Sequence, residues 1–157
     1  MPTQLTQHFT LEEMLVSETA VRNNFTEQFN PPVEIIANLK ALCEKVLEPL
    51  RAKIGKPIII TSGYRCLRVN QAIPGSALHS QHELGQAADT HVDGMSIEEW
   101  YQFIKDSGIA FDQLIQEFDT WAHVSFNASA EQRGQCLRIS TGTGYVADGT
   151  GTFKNKT

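Results

Sequence analysis

The segment SQHELGQAAD, residues 80–89, together with WAHV, residues 121–124, restricts the fold and chemistry of this sequence most strongly. The two segments offer two imidazoles, His82 and His123, and one carboxylate, Asp89. A catalytic zinc ion takes three protein ligands of these kinds and keeps its fourth position for water. Asp89 is predicted on a strand and His82 in the loop that leads into it. If the three side chains converge, the chain holds a zinc site.

A long amphipathic helix precedes this segment. Asn30-Pro31-Pro32 is a helix start with Asn as cap and Pro in the first turn. Apolar residues then recur at three- and four-residue steps as far as Leu50, which predicts one buried helix face. Pro49 is expected to kink the helix, and Gly55 with Pro57 to end it.

The other elements predict an α+β fold in which helices pack on one side of a small antiparallel sheet. Thr10-x-x-Glu13 and Ser96-x-x-Glu99 are capping boxes that begin two further helices, and a short helix is predicted at 65–72. Residues 17–30 are predicted to be irregular, with a turn at Asn23-Asn24, and residues 73–86 to form a loop. Strands are predicted at 57–62, 87–92, 111–117, 121–126 and 136–140. The later strands are consecutive, which favours antiparallel pairing in one domain over residues 1–157, with its core at about 8–140 and a Gly/Thr-rich loose tail or edge element from Thr141.

Composition narrows the class of partner. The formal net charge is -5 and Lys and Arg form no run, so we expect no nucleic-acid binding. Apolar runs are too short for stable membrane insertion, and we expect a monomer. The polar N-terminus lacks signal-peptide features, so we expect cytoplasmic synthesis and another route to any extracellular target. The three cysteines include no Cys-x-x-Cys pair, which argues against a structural zinc knuckle, and Cys43 is expected to be a buried thiol.

A carboxylate is predicted beside His123. Glu117 precedes His123 by six residues, so one extended strand would place both on the same face. A hairpin that turns near Thr120 would instead place them opposite each other, with Cβ atoms about 5 Å apart. Either geometry allows Glu117 to act as the general base. Asp119 is the alternative base, although it is also a typical turn residue.

Other histidines compete for the metal-site assignment. His79 is expected to be exposed or to support His82, His91 shares strand parity with Asp89, and His8 is expected at the surface. The pair His82-Glu83 begins a zincin-like His-Glu-x-x-His pattern, but Gln86 replaces the second His and Gly85 weakens a helix. We therefore reject the zincin interpretation.

These residues resemble the M15 group of zinc peptidases, which contains D-alanyl-D-alanine carboxypeptidases and phage-encoded peptidoglycan endopeptidases. The resemblance covers roughly residues 8–127. It rests on Ser62-Gly63-Tyr64-Arg65, Asn70, Ser80-x-His82-x-x-Gly85-x-Ala87-x-Asp89, Asp112-Gln113-Leu114-Ile115-x-Glu117 and Trp121-x-His123-Val124-Ser125. The segment around Phe9 and the long helix are similar to the phage-associated branch.

The resemblance implies Zn²⁺ held by His82, Asp89 and His123, in the fold shared with the hedgehog signalling domain. It implies Glu117 as the base. Many members carry that acid three residues before the last His, where this chain has Thr120, so Glu117 follows the spacing of hedgehog-like members. Arg65 is implied to hold substrate or stabilise the oxyanion, with substrate contacts also expected from two further residues, Ser80 and Tyr64.

The implied function is hydrolysis of peptide bonds in bacterial peptidoglycan stem peptides or crosslinks, in a phage or prophage lysis setting. Such an enzyme would reach the wall through a phage-type membrane pore. One alternative is a bacterial D,D-carboxypeptidase or dipeptidase, and another is a zinc-containing wall-binding module without catalysis. Retention of an acid at Glu117 favours an enzyme.

Overall fold

The computed structural model describes residues 2–74 and 80–154, and its largest element is a six-stranded mixed sheet. The strand order in this sheet is β3-β4-β6-β5-β7-β8, and β1 and β2 form a separate antiparallel pair. The strands are β1 Gln4–Thr6, β2 Phe9–Thr10, β3 Ile59–Ser62, β4 Ala87–His91, β5 Gln113–Glu117, β6 Trp121–Ser125, β7 Gln135–Ile139 and β8 Val146–Thr150. With helices flanking the sheet, the predicted α+β class is confirmed.

One strand pairing differs from the antiparallel expectation, because β5 and β7 are parallel. The β5–β6 hairpin already occupies one edge of β5, so the next strand pairs with the other edge. The chain after β6 crosses back to the start of β5, where Gln113 pairs with Gln135, and β7 then runs in the direction of β5. Strand β8 adds the outer edge, so the tail after Thr141 supplies an edge strand rather than only loose chain.

Six α-helices lie among the described residues: α1 Leu11–Met14, α2 Glu18–Asn23, α3 Val33–Leu42, α4 Glu48–Ile54, α5 Leu67–Ala72 and α6 Ile97–Asp106. Both predicted capping boxes are confirmed, at the starts of α1 and α6. The prediction of an irregular 17–30 is wrong, because Ser17 caps α2 by accepting a hydrogen bond from the Ala20 amide. Asn24 ends α2 in the left-handed conformation, which confirms the turn there.

The long amphipathic helix is continuous through three pieces. Its first residue is preceded by Pro32 as the N-cap residue, rather than by Asn30. A π-helical turn over Cys43–Leu47 joins α3 to α4, in whose first turn Pro49 lies. Proline lacks an amide hydrogen and its ring clashes with the carbonyl four residues earlier, so a locally widened helix accommodates it. The irregularity expected at Pro49 thus takes the form of this π turn.

The sheet separates a buried core from a second face that carries polar residues. Because side chains alternate along a strand, Thr90 and Ala122 lie on one face, and Asp89 and His123 lie on the other. On the core side, the Trp100 indole of α6 donates a 2.9 Å hydrogen bond to the Thr90 hydroxyl. The fold therefore anchors one face of β4 and β6 in the core and leaves the other face for chemistry.

The burial of the cysteines agrees with the sequence-based expectation. Cys43, Cys66 and Cys136 are all buried and free, and burial raises the pKa of the Cys43 thiol to about 12. Cys43 is therefore the inert packed thiol that its helix position predicted.

Among residues 2–74 and 80–154, none of the helices has the length and apolar character to cross a bilayer.

Candidate metal centre

The three proposed metal ligands converge on the polar face of the sheet. One ligand atom from each of His82, Asp89 and His123 lies within 4.8 Å of the other two. Asp89 on β4 pairs directly with His123 on β6, and such facing residues have Cβ atoms about 5 Å apart. His82 approaches from the 3₁₀ turn Gln81–Leu84 that immediately precedes β4. All three residues are at most 6% exposed, so the cluster is largely buried.

The His82 ring is held in one orientation. Its Nδ1 lies 2.6 Å from the Gly63 carbonyl oxygen, which accepts the hydrogen of Nδ1. That bond leaves Nε2 with its lone pair facing the cluster, 3.2 Å from Asp89 Oδ1. Gly63 is required here, since a Cβ at this position would lie 2.5 Å from the Met14 carbonyl oxygen. Ser80 supports the turn by accepting a hydrogen bond from the His82 amide.

Asp89 divides its two oxygens between the cluster and Arg65. Oδ1 lies 3.2 Å from both His82 Nε2 and His123 Nδ1, while Oδ2 accepts a 3.0 Å hydrogen bond from Arg65 Nη2. Burial favours the neutral acid, yet the two imidazoles hold the pKa of Asp89 well below its usual range. Two imidazole nitrogens beside an ionised carboxylate oxygen form a donor set that fits Zn²⁺.

Glu117 lies next to the cluster at the end of a tight hairpin. Phe118 and Asp119 both have positive φ, and the Thr120 amide bonds to the Glu117 carbonyl, which closes the turn. The predicted hairpin is confirmed, but Glu117 pairs with Trp121 and not with His123, whose partner is Ile115. The two-residue offset still keeps Glu117 and His123 on the same face.

The Glu117 carboxylate has the surroundings of a proton acceptor. Its Oε1 lies 4.0 Å from His123 Nδ1, and its Oε2 accepts a 2.7 Å hydrogen bond from the Trp121 indole. Burial and the charge of Asp89 raise the pKa of Glu117, while His123, Trp121 and Arg65 oppose that rise. A carboxylate with a raised pKa takes up a proton more readily, as general-base catalysis requires.

Asp119, the alternative base, is directed elsewhere. Its carboxylate accepts a hydrogen bond from the Gln116 amide, and Gln116 alternates with Glu117 onto the other face of β5. Asp119 also lines a different cavity, with Glu98 and Arg138. The geometry therefore favours Glu117.

Of the remaining histidines, His8 and His91 take no part in the cluster. His91 is half-buried and pairs with Ile59 at the far end of β4. His8 contacts Glu48, with 2.6 Å between Nδ1 and Oε2. His79 lies outside the described residues.

A cleft of about 470 Å³ opens onto the cluster. Arg65, Ser80 and Glu117 line it, whereas Tyr64 is 7% exposed and packs in the hydrophobic core. The structure therefore does not bring Tyr64 to the cleft with the other expected substrate contacts. Gly85 ends the turn of His82 with a positive φ, and a Cβ at this position would lie 2.9 Å from the Ile35 carbonyl oxygen of α3.

The roles of several residues around the site were not predicted from the sequence. Trp121 shares strand parity with His123 and lies opposite Glu117. A correct strand register would therefore have predicted the contact between the Trp121 indole and Glu117. The Gly63 carbonyl and the Ser62 hydroxyl, which accepts from Arg65 Nε at 3.0 Å, carry no such signal. Arg133 and Tyr145 also line the cleft, from chain beyond β6.

Comparison with known protein families agrees with this geometry. The family model described as Peptidase M15 matches residues 7–125 of the 157-residue chain. The matched region contains the three clustered residues together with Arg65 and Glu117. A comparison with curated proteins finds no significant match.

Proposed function

This chain belongs to the peptidase M15 family, and on that premise we propose that it is a zinc-dependent peptidase of bacterial peptidoglycan. The observation that carries the proposal is the convergence of His82, Asp89 and His123 beside the carboxylate of Glu117. A binding module needs no base at this position, so the half-buried Glu117 beside the cluster supports an enzyme over a non-catalytic wall-binding module.

The residues of the chain divide the chemistry among them. His82, Asp89 and His123 would hold the ion. When bound, the ion would supply Lewis acidity and lower the pKa of a water molecule to about 7. Glu117 accepts the proton of the attacking water and returns it to the leaving amine. The Trp121 indole keeps one Glu117 oxygen in place, which leaves the other directed towards His123.

Arg65 contributes in two ways. Its bond to Asp89 Oδ2 orients the carboxylate so that Oδ1 faces both imidazoles. Its guanidinium also lines the cleft, so its positive charge can offset negative charge that develops on the scissile carbonyl oxygen. Ser80 lines the cleft while its hydroxyl fixes the turn of His82, so we assign it a positioning role first.

The proposed substrates are stem peptides or crosslinks of peptidoglycan, and the proposed setting is phage or prophage lysis. This finer proposal draws its support from the motif resemblance to phage-associated M15 peptidases. Cytoplasmic synthesis and release through a membrane pore belong to the same proposal. A bacterial D,D-carboxypeptidase or dipeptidase would use the same site.

Digestion of purified peptidoglycan by the zinc-loaded protein tests the proposal. Mass analysis of the soluble fragments identifies the cleaved bond: free D-Ala indicates a carboxypeptidase, and split stems or crosslinks indicate an endopeptidase. The matched control is Glu117→Gln, which keeps the shape of the side chain without its basicity. If the wild type releases no more than this variant from walls and soluble stem peptides, the proposed function is wrong.

A further inference from the structure

The wall of the cleft extends beyond the part of the chain that the family match covers. The match ends at residue 125, whereas Arg133, Ile139 and Tyr145 all line the cleft that contains the metal cluster. These residues come from the crossover after β6, from β7 and from the chain that follows it. The later segment therefore adds cleft surface outside the matched region, and Arg133 is its charged member.

Arg133 is held in one orientation by a buried carboxylate. Its Nε and Nη2 donate to Asp112 Oδ1 and Oδ2 at 3.0 and 2.9 Å, and its backbone amide donates to Oδ1 at 3.0 Å. Asp112 is 4% exposed and also accepts a 3.0 Å hydrogen bond from Gln81 Nε2. Because Gln81 precedes His82, the same carboxylate ties Arg133 to the turn that carries a proposed metal ligand.

The strand register locates Arg133 relative to the cluster. Gln113, Ile115 and Glu117 line the cleft from successive outward positions of β5, and Ile115 pairs with His123. Glu117 thus lies one step towards the hairpin, and Gln113 lies one step the other way, about 7 Å from the level of His123. Arg133 lies at the same end of the cleft as Gln113, because its guanidinium bonds to Asp112, the residue before Gln113. A peptide spans such a distance with about two residues.

The charges of the cleft single out Arg133 as the cation open to a ligand. Arg65 and Arg133 are the two arginines among the described residues that line the cleft. The Arg65 side chain is 14% exposed and engaged with Asp89, whereas the Arg133 side chain is 54% exposed. Asp112 uses one edge of the Arg133 fork, and a guanidinium has donors on a second edge that suit another carboxylate.

We propose that Arg133 is a specificity-determining residue that binds a carboxylate of the peptide substrate at the end of the cleft opposite Glu117. This inference rests on the proposed peptidase function. Two sources share this chemistry: the C-terminal carboxylate of a peptide cut near its end, and the free carboxyl of a D-Glu residue within a stem. The first source indicates a carboxypeptidase or dipeptidase, and the second an endopeptidase.

Paired synthetic stem peptides test the inference with the zinc-loaded full chain. In one pair the C-terminal carboxylate is free or amidated, and in the other pair the D-Glu carboxyl is free or amidated. We expect the wild type to prefer the free acid in one pair by about 10-fold or more in kcat/KM, the effect of one charge-assisted pair of hydrogen bonds. Equal kcat/KM values within both pairs would overturn the inference while leaving the peptidase function intact.

Substitutions of Arg133 test whether this residue causes the preference for the free acid. Arg133→Gln is expected to raise KM for the preferred acid about 10-fold or more, with kcat and the amide peptide changed less than about 3-fold. Arg22→Gln is the matched control, because it removes the same charge from an exposed position of α2 that does not line the cleft. Arg133→Lys keeps the charge without the fork and should restore part of the preference. If the Arg133→Gln variant keeps the full preference for the free acid, another residue binds the carboxylate and the inference is wrong. If the wild type hydrolyses none of the peptides, the proposed peptidase function is contradicted instead.

Discussion

Arg65 Nη2 lies 3.0 Å from Asp89 Oδ2, the carboxylate oxygen that is turned away from the two imidazoles. Arg65 Nε is in turn fixed by the Ser62 hydroxyl, and its backbone amide bonds to the His82 carbonyl. One arginine therefore connects the strand that carries one proposed ligand with the turn that carries another. This arrangement makes Arg65 a positioning residue of the centre as well as a charge beside the cleft.

Arg65→Gln should weaken zinc binding, because Asp89 loses the partner that orients it. Loss of such supporting hydrogen bonds typically lowers metal affinity about 10- to 100-fold. Competition with a chromophoric chelator measures that change, and circular dichroism checks that the fold is kept. An affinity equal to that of the wild type would restrict Arg65 to a role towards substrate.

Glu117→Gln should retain zinc and lower kcat for wall-peptide hydrolysis by about 10²-fold or more, since the amide cannot accept the proton. Asp119→Asn is the matched control on the adjacent turn, and we expect its kcat within about 3-fold of wild type. The reverse pattern, with Asp119→Asn impaired and Glu117→Gln active, would transfer the base to Asp119.

Trp121→Phe should shift the pH dependence of hydrolysis. The indole hydrogen bond lowers the pKa of Glu117, so its removal lets that pKa rise further. The base is then protonated over a wider acidic range, and the acid limb of kcat/KM moves to higher pH. A pH–rate profile of both proteins measures the shift, and a limb that moves to lower pH would contradict the assigned bond.

Purified protein should contain about one zinc ion per chain and should lose both activity and thermal stability when a chelator removes it. The expected stability loss follows because an ion that binds the folded chain favours that state, and the buried Asp89 charge then has fewer partners. Metal analysis and thermal unfolding measure these effects. Less than about 0.2 zinc per chain after gentle purification would count strongly against the centre.

Glu98→Gln should reduce stability near neutral pH but not in strong acid. Bidentate bonds from Arg138 lower the pKa of Glu98 to about 2. Because the folded pKa is below the unfolded value, this stabilisation is present above pH 4.5 and is lost as the pH falls towards 2. The Glu98 side chain is partly exposed, so we expect at most about 1 kcal/mol. Urea unfolding of both proteins at about pH 6.5 and about pH 3 should show the difference shrinking with acid. A difference that is constant with pH would exclude this linkage.

Local signals predicted much of the fold. The capping boxes at Thr10 and Ser96 and the left-handed Gly55 at the end of α4 appear where short-range chemistry predicts them. The short strands β1 and β2 and the parallel pairing of β7 were not predicted. Two- and three-residue strands carry little periodicity, and the edge that β7 joins depends on which edge of β5 the hairpin leaves free.

The sequence by itself determined the chemical types of the site, two imidazoles and two carboxylates, and the alternation that places Asp89 and His123 on outward positions of their strands. Only the tertiary structure decided which atoms meet. The offset of Glu117 from His123, the choice of Nδ1 as the His82 donor, and the division of the Asp89 oxygens depend on contacts across elements. Residues distant along the chain set these contacts, such as Gly63 with His82 and Asp112 with Arg133, and a local sequence pattern carries no information about them.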